Sequence, residues 1–366
     1  MHLQVSRSPS STVDAVGFGS GRRRLIGWVV ALAGLLMVSI IASLMLGAVR
    51  VPAGDVIRIL AHHVAGTPLD DSAAGEFGRN DAIIWTIRAP RVVLSVVVGA
   101  GLAIAGVVLQ AMVRNMLADP YVLGVSSGAS CGAAASILFG LGAGFGDYAL
   151  QTSAFLGALV ATMVVLAVAR SAGKLTSIRL LMAGVAVGYA LSALTSFLVF
   201  ASDSAESSRS VMFWLLGSLG LAAWSGPLGL AVGVVTLLFI VFLVLSPQMD
   251  ALASGDETAL ALGIRPDRMR LILLVMVCLL VGTLVAMAGA IGFIGLIVPH
   301  LARRIVGGRH RAVLPVAAFI GAILLCWADI ASRTVLAPQE IPIGILTALV
   351  GAPFLLILVR KMRVTA

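Results

Sequence analysis

Long apolar runs, separated by short polar stretches that carry arginines, dominate this chain. They fall at 25–49, 92–113, 122–141, 151–169, 178–200, 228–246, 270–289, 292–306, 313–331 and 344–359. A helix of about 20 apolar residues is enough to cross the ~30 Å hydrocarbon layer of a bilayer. The pattern therefore predicts an all-α polytopic membrane protein of about ten transmembrane helices. The run at 292–306 is short for a crossing. Val211–Gly220 is apolar but shorter still, which fits a re-entrant or interfacial helix. The first run, Leu25 to Val49, follows Arg22, Arg23 and Arg24 and exceeds the ~7–15-residue core of a secretory signal. It is expected as a retained helix, with residues 1–24 as a cytoplasmic tail and 25–366 as one membrane domain.

Composition agrees: 60% of the residues are hydrophobic and 11% charged, against about 25% charged in soluble domains. The three cysteines, Cys131, Cys278 and Cys326, sit inside apolar runs and read as small core residues. No disulfide framework, metal cluster or cofactor is expected from them. The net charge of +9 lies between the runs and sets orientation instead of forming a nucleic-acid stripe. With the N-terminus placed in the cytoplasm, 18 of the 25 basic residues, Arg7, Lys174 and Arg363 among them, fall inside. Ten crossings with both termini cytoplasmic satisfy the positive-inside rule.

A faint repeat runs through the chain. Val98-Gly99, Ala103 and Ala105-Gly106 recur at identical spacing as Val281-Gly282, Ala286 and Ala288-Gly289. Five predicted helices separate the copies, so the two point in opposite directions, as in an inverted repeat of a transporter. Coincidence among Gly- and Ala-rich helices is the alternative.

Three chemistries are weighed on motifs. A phosphate-cradling GxxxxGK[ST] loop needs Lys followed by Ser or Thr, and Lys174 and Lys361 precede Leu175 and Met362. An ion-coupled carrier usually holds acids inside the bundle, and only Asp329 lies within a run. Gly124–Gly128 matches the GxSxG of serine hydrolases, with Ser126 as nucleophile, but that motif needs a strand before the serine. A transporter driven by a separate engine remains.

Several segments together resemble the FecCD-type permeases of binding-protein-dependent ABC importers for ferric siderophores, haem and vitamin B12. They are Arg88-Ala89-Pro90-Arg91 leading through 99–106 to Gln110 and Arg114–Ser130, then Ser254–Ile264, Gly289–Arg303, Ala328–Arg333 and Gln339–Phe354. Met116 departs from the family's usual Asn-Pro-Leu-Ala. The resemblance implies a type II ABC importer permease of the bacterial cytoplasmic (inner) membrane. It would pair with a second copy or a paralogue, two ABC ATPase subunits and a periplasmic or lipid-anchored substrate-binding protein.

The candidate residues follow. The cytoplasmic loop at about 247–269 has short helical patterns punctuated by Gly255 and Gly263. From its residues alone it fits a membrane surface or a partner protein equally. The resemblance implies ATPase coupling through Gly255, Asp256, Glu257, Ala259, Leu262 and Gly263. Arg88 and Arg91 share a helical face on the outer side, and Arg333 ends a run there. They read as lipid anchors or as a rim that docks acidic side chains of the binding protein. Tyr189, Ser192, Thr195 and Ser196 are candidate translocation-pathway residues, with interhelical hydrogen bonding an equal explanation.

Overall fold

The computed structural model describes residues 16–66, 75–171 and 176–362; Arg7, Lys174, Arg363 and the first fifteen residues of the expected tail lie outside these. Fifteen α-helices are found among the described residues. The first four are α1 (Val16–Met45), α2 (Ala53–Ala65), α3 (Glu76–Asp81) and α4 (Ala89–Val113). Then come α5 (Val125–Phe139), α6 (Ala149–Ser171), α7 (Ser177–Phe200), α8 (Ala205–Leu215) and α9 (Gly226–Val244). The last six are α10 (Ser246–Ser254), α11 (Asp256–Ala261), α12 (Pro266–Ala288), α13 (Ile294–Val306), α14 (His310–Thr334) and α15 (Ile343–Met362). Seven helical spans are long and apolar enough to cross a membrane, and α5 and the apolar part of α15 are shorter apolar helices.

The helix α1 begins at Val16, so it runs through Arg22–Arg24 and past the expected start at 25. Every other long run is recovered within a few residues. Three elements between α1 and α4 were not foreseen: amphipathic α2, which buries Val56 and Ile59, the short α3, and a π-helical turn at Ala82–Arg88 that leads into α4. Of the re-entrant candidate Val211–Gly220, only Val211–Leu215 is helical; it closes α8, which starts at Ala205, where Ser204 caps it by accepting from the Ser207 amide at 3.1 Å.

The most enclosed helix is α4, buried at nearly every position from Ala89 to Val113. Small residues let backbones meet there. A Cβ on Gly99 would stand 2.3 Å from the Gly321 carbonyl oxygen of α14, and one on Gly106 would stand 1.9 Å from that of Gly295 in α13. Without water at this depth, such contacts supply packing that larger side chains would forbid.

The repeat is visible in this packing. While α4 packs on α13 and α14, α12 packs on α5 and α6. Gly99 meets α14, and Gly282, its counterpart, meets Phe155 and Ala158 of α6. The two helices run antiparallel: Arg270 near the start of α12 donates to Met112 O near the end of α4. This exchange of partners is what an inverted repeat produces.

Candidate functional site

Chemistry concentrates at the two ends of the bundle. At one end α10 and α11 form a polar knob under α4, α12 and α14. Asp250 of α10 caps α14, accepting from the His310 amide at 3.0 Å, and its Oδ1 lies 2.5 Å from His310 Nδ1. Asp256, the first residue of α11, accepts two bonds from Arg270, at 2.6 and 3.1 Å. Arg114, the left-handed residue that ends α4, stands 3.5 Å from the same carboxylate. Arg270 is 1% exposed, so its charge would be stranded without Asp256. The bidentate bonds from Arg270 hold the Asp256 carboxyl below the usual carboxylate range.

Gly255 (φ 126°) and Gly263 (φ 78°) sit in backbone conformations that side chains rarely adopt, and they bracket α11. Ala259 is fully buried against the bundle. Glu257, Leu260 and Leu262 face outward and are exposed, Leu262 by 65%. All six residues expected for coupling thus lie on one knob. Asp250, Arg270 and Arg114, which fasten it, were not singled out. An acid or arginine flanking a membrane run, followed by a fixed turn, was the only available signal.

Next to the knob, α13 carries Pro299, which has no amide to offer the Gly295 carbonyl one turn back. Gln110 Nε2 reaches that oxygen at 3.4 Å, Leu296 O at 3.3 Å and Ala118 O at 3.3 Å. Its Oε1 accepts from Arg303 at 2.5 Å. One glutamine therefore ties the ends of α4 and α13 to the turn before α5. Between α12 and α13 the chain is non-helical, and Tyr121 Oη accepts the Ile291 amide at 2.7 Å. Irregular backbone survives in a membrane only where protein groups satisfy it in this way.

The opposite end gathers Arg88, Arg91 and Arg333, but not as an open rim: they are 5%, 5% and 7% exposed. Arg88 donates to the Leu44, Met45 and Val49 carbonyls. Arg333 donates to Ser43 O, Ser43 Oγ and Leu46 O. Both arginines therefore satisfy orphan carbonyls at the negative end of α1. Gly47 makes room, since a Cβ there would lie 2.6 Å from the Arg88 guanidinium. Fully buried Asp329 accepts from Arg91 at 2.6 Å and from Arg333 at 3.0 Å. Arg91 Nη1 also bonds both oxygens of Glu340, at 2.9 and 3.0 Å. The demand of buried carbonyls and a buried carboxylate for donors is what turns these side chains inward.

The four residues proposed for the pathway lie on α7 but on two faces. Thr195 is buried and donates to the Leu191 carbonyl. Ser192 reaches Ser127 of α5 at 3.4 Å, Ser196 donates to Ser192 O, and Tyr189 is 76% exposed. Ser126 lies in the first turn of α5, which is entered from a 3-10 turn instead of a strand, so the hydrolase geometry is missing. No group of three metal-ligating side chains occurs among the described residues.

The model of the FecCD transport family matches residues 35–361. The chain belongs to this family. As a transmembrane ABC permease of the FecCD family, it is 44% identical to the cobalamin import system permease BtuC of Halobacterium salinarum, over 78% of this chain and 75% of that one. It is 41% identical to the hemin transport system permease HmuU of Yersinia pestis, over 78% and 86%. Against the Fe(3+)-citrate import system permease YfmD of Bacillus subtilis, the identity is 39% over 78% and 83%. A solved metal-chelate type ABC transporter in an inward-facing conformation superposes with a TM-score of 0.77 at 32% identity, covering 91% of this chain and 98% of that one.

Proposed function

We propose that this FecCD permease carries an iron chelate across the bacterial cytoplasmic membrane, with ferric siderophore ranked first and haem and cobalamin next. The energy comes from two copies of a separate ABC ATPase. The observation that carries the reading is the α10–α11 knob: a small outward surface of Glu257, Leu260 and Leu262, rigidly fastened to the ends of α4, α12 and α14. A knob so fastened converts a push on its outer face into motion of three helices. Relatives named for cobalamin, hemin and ferric citrate support the substrate class.

In this reading the knob and both termini face the cytoplasm, and the arginine end faces a substrate-binding protein. Arg88, Arg91 and Arg333 shape that docking end, with three guanidinium charges against two carboxylates. The exposed face of α7, bearing Tyr189 and Ser196, borders a pathway shared with a second copy or a paralogue. An ion-coupled carrier is disfavoured by Asp329, whose charge is already matched by Arg91 and Arg333.

Reconstitution with the ATPase and binding protein tests the proposal. Uptake of a labelled ferric siderophore that requires ATP and exceeds uptake of haem and cobalamin supports it. Preference for cobalamin would move the substrate while leaving the transport class intact.

A further inference from the structure

The docking end holds one charge pair unlike its neighbours. Arg88 is held by the Leu44, Met45 and Val49 carbonyls, Arg333 by Ser43, Leu46 and Asp329, and Asp329 is fully enclosed. Glu340 instead has a side chain 49% exposed, and its carboxylate sits bidentate on Nη1 of nearly buried Arg91. The other terminal nitrogen, Arg91 Nη2, is buried and has no partner. A guanidinium fork can grip a carboxylate through two nitrogens at once, yet here Glu340 takes one nitrogen twice and leaves the second empty. Around them three arginines face two carboxylates, so the cluster keeps a net positive charge even with Glu340 in place.

We propose that Glu340 is a placeholder: it covers Arg91 in the undocked permease and yields that position to a carboxylate of the binding protein. This rests on the reading that an acidic binding protein docks at the arginine end. The arriving carboxylate engages both nitrogens of the fork, and Glu340, half in solvent already, swings out. The cost of exchange is limited because Glu340 is half in solvent and its replacement also satisfies the unpartnered Arg91 Nη2.

The segment that carries Glu340 gives the exchange somewhere to go. Ile341 N donates to Ser332 O at 3.0 Å, and Ser332 Oγ donates back to Ile341 O at 2.5 Å. Ile343 N and Gly344 N donate to Gly217 O and Leu216 O, at 3.1 and 3.0 Å. Ser218 N then donates to Ala288 O at the end of α12. Releasing Glu340 therefore loosens a segment stitched to the turn after α8 and to α12, the helix whose other end holds the knob.

The test measures binding-protein affinity for the complete permease–ATPase complex in nanodiscs, using Glu340→Gln and Arg91→Gln. A placeholder competes with its partner, so Glu340→Gln tightens binding roughly two- to fivefold, the worth of one half-exposed pair. Arg91→Gln weakens it. If Arg91→Gln weakens binding while Glu340→Gln weakens it or leaves it unchanged, docking stands and the placeholder is overturned. If neither variant changes affinity, the docking reading itself fails. A nitroxide on Gln339→Cys in the otherwise native segment gives an independent check. Its spectrum sharpens when binding protein saturates the complex, and an unchanged spectrum overturns the exchange.

Discussion

Replacing Asp256 by alanine removes the carboxylate that joins the knob to Arg270 and Arg114. Stripping one partner from a fully buried ion pair costs ~3–5 kcal/mol. Arg270 is that kind of partner, with its side chain 2% exposed, but Asp256 is 41% exposed and water relieves part of the loss. We expect the docked knob to lose about 1–3 kcal/mol relative to a detached one, a factor of about 5 to 150 in their ratio. Because α11 transmits force in this account, the variant should still assemble and hydrolyse ATP, but substrate moved per ATP should fall. The assay is paired: uptake and hydrolysis in the same proteoliposomes, with hydrogen exchange across 247–269. Asp256→Asn, which keeps an acceptor but loses the charge, should fall between. Native transport per ATP and native exchange protection in Asp256→Ala would refute the clasp.

The remaining predictions are narrower. Gly106→Ala places a Cβ 1.9 Å from the Gly295 oxygen, where ordinary contact begins at 3.4 Å; α4 and α13 must part by about 1.5 Å, and a drop in thermal midpoint matching ~1–3 kcal/mol should result. The pH dependence of the clasp follows from the sign of the Asp256 shift. Its folded value lies below the ordinary 3.8, so its contribution is complete above about 4 and vanishes as pH falls through the folded value. The stability gap between the native protein and Asp256→Asn should therefore be flat from pH 5 to 8 and close only in acid. Glu257→Arg should weaken ATPase assembly or uncouple hydrolysis while leaving insertion intact, and normal transport would remove Glu257 from the contact. Reporter fusions at Asp256 and Ser204 should report opposite sides of the membrane, and a shared side would break the ten-crossing topology.

Much of this architecture was legible because apolar runs of membrane length leave little freedom. The bounds of α6, α7, α9, α12 and α14 follow from the runs alone, as do the glycines that seat α4 on its neighbours. The elements that escaped notice are short or polar. With 13 residues, α2 buries only Val56 and Ile59, and the π turn at Ala82–Arg88 has no pattern of its own in the sequence. For the candidate site, the sequence singled out Arg88, Arg91 and Arg333 but not the direction in which each points. Arg88 and Arg333 turn inward because the last carbonyls of α1 need donors, and which helix end lies beside them is a tertiary fact. Gln110 lies inside α4, three residues before its end, and its bond to the carbonyl freed by Pro299 depends on α4 and α13 touching at Gly106 and Gly295. Asp329 stood out as the one acid in an apolar run; its two arginines, 238 and four residues away, became a cluster only when α4 and α14 packed together.

We propose that this chain moves substrate by borrowing ATP hydrolysis from a partner. Purified permease is placed in liposomes with and without its ATPase and binding protein, and chelate uptake is followed with ATP supplied or an ion gradient imposed. The expected result is no hydrolysis and no gradient-driven uptake by the chain alone, and ATP-dependent uptake by the full complex. Sustained accumulation by the isolated chain under a proton or sodium gradient, abolished by collapsing that gradient and indifferent to ATP, would contradict it.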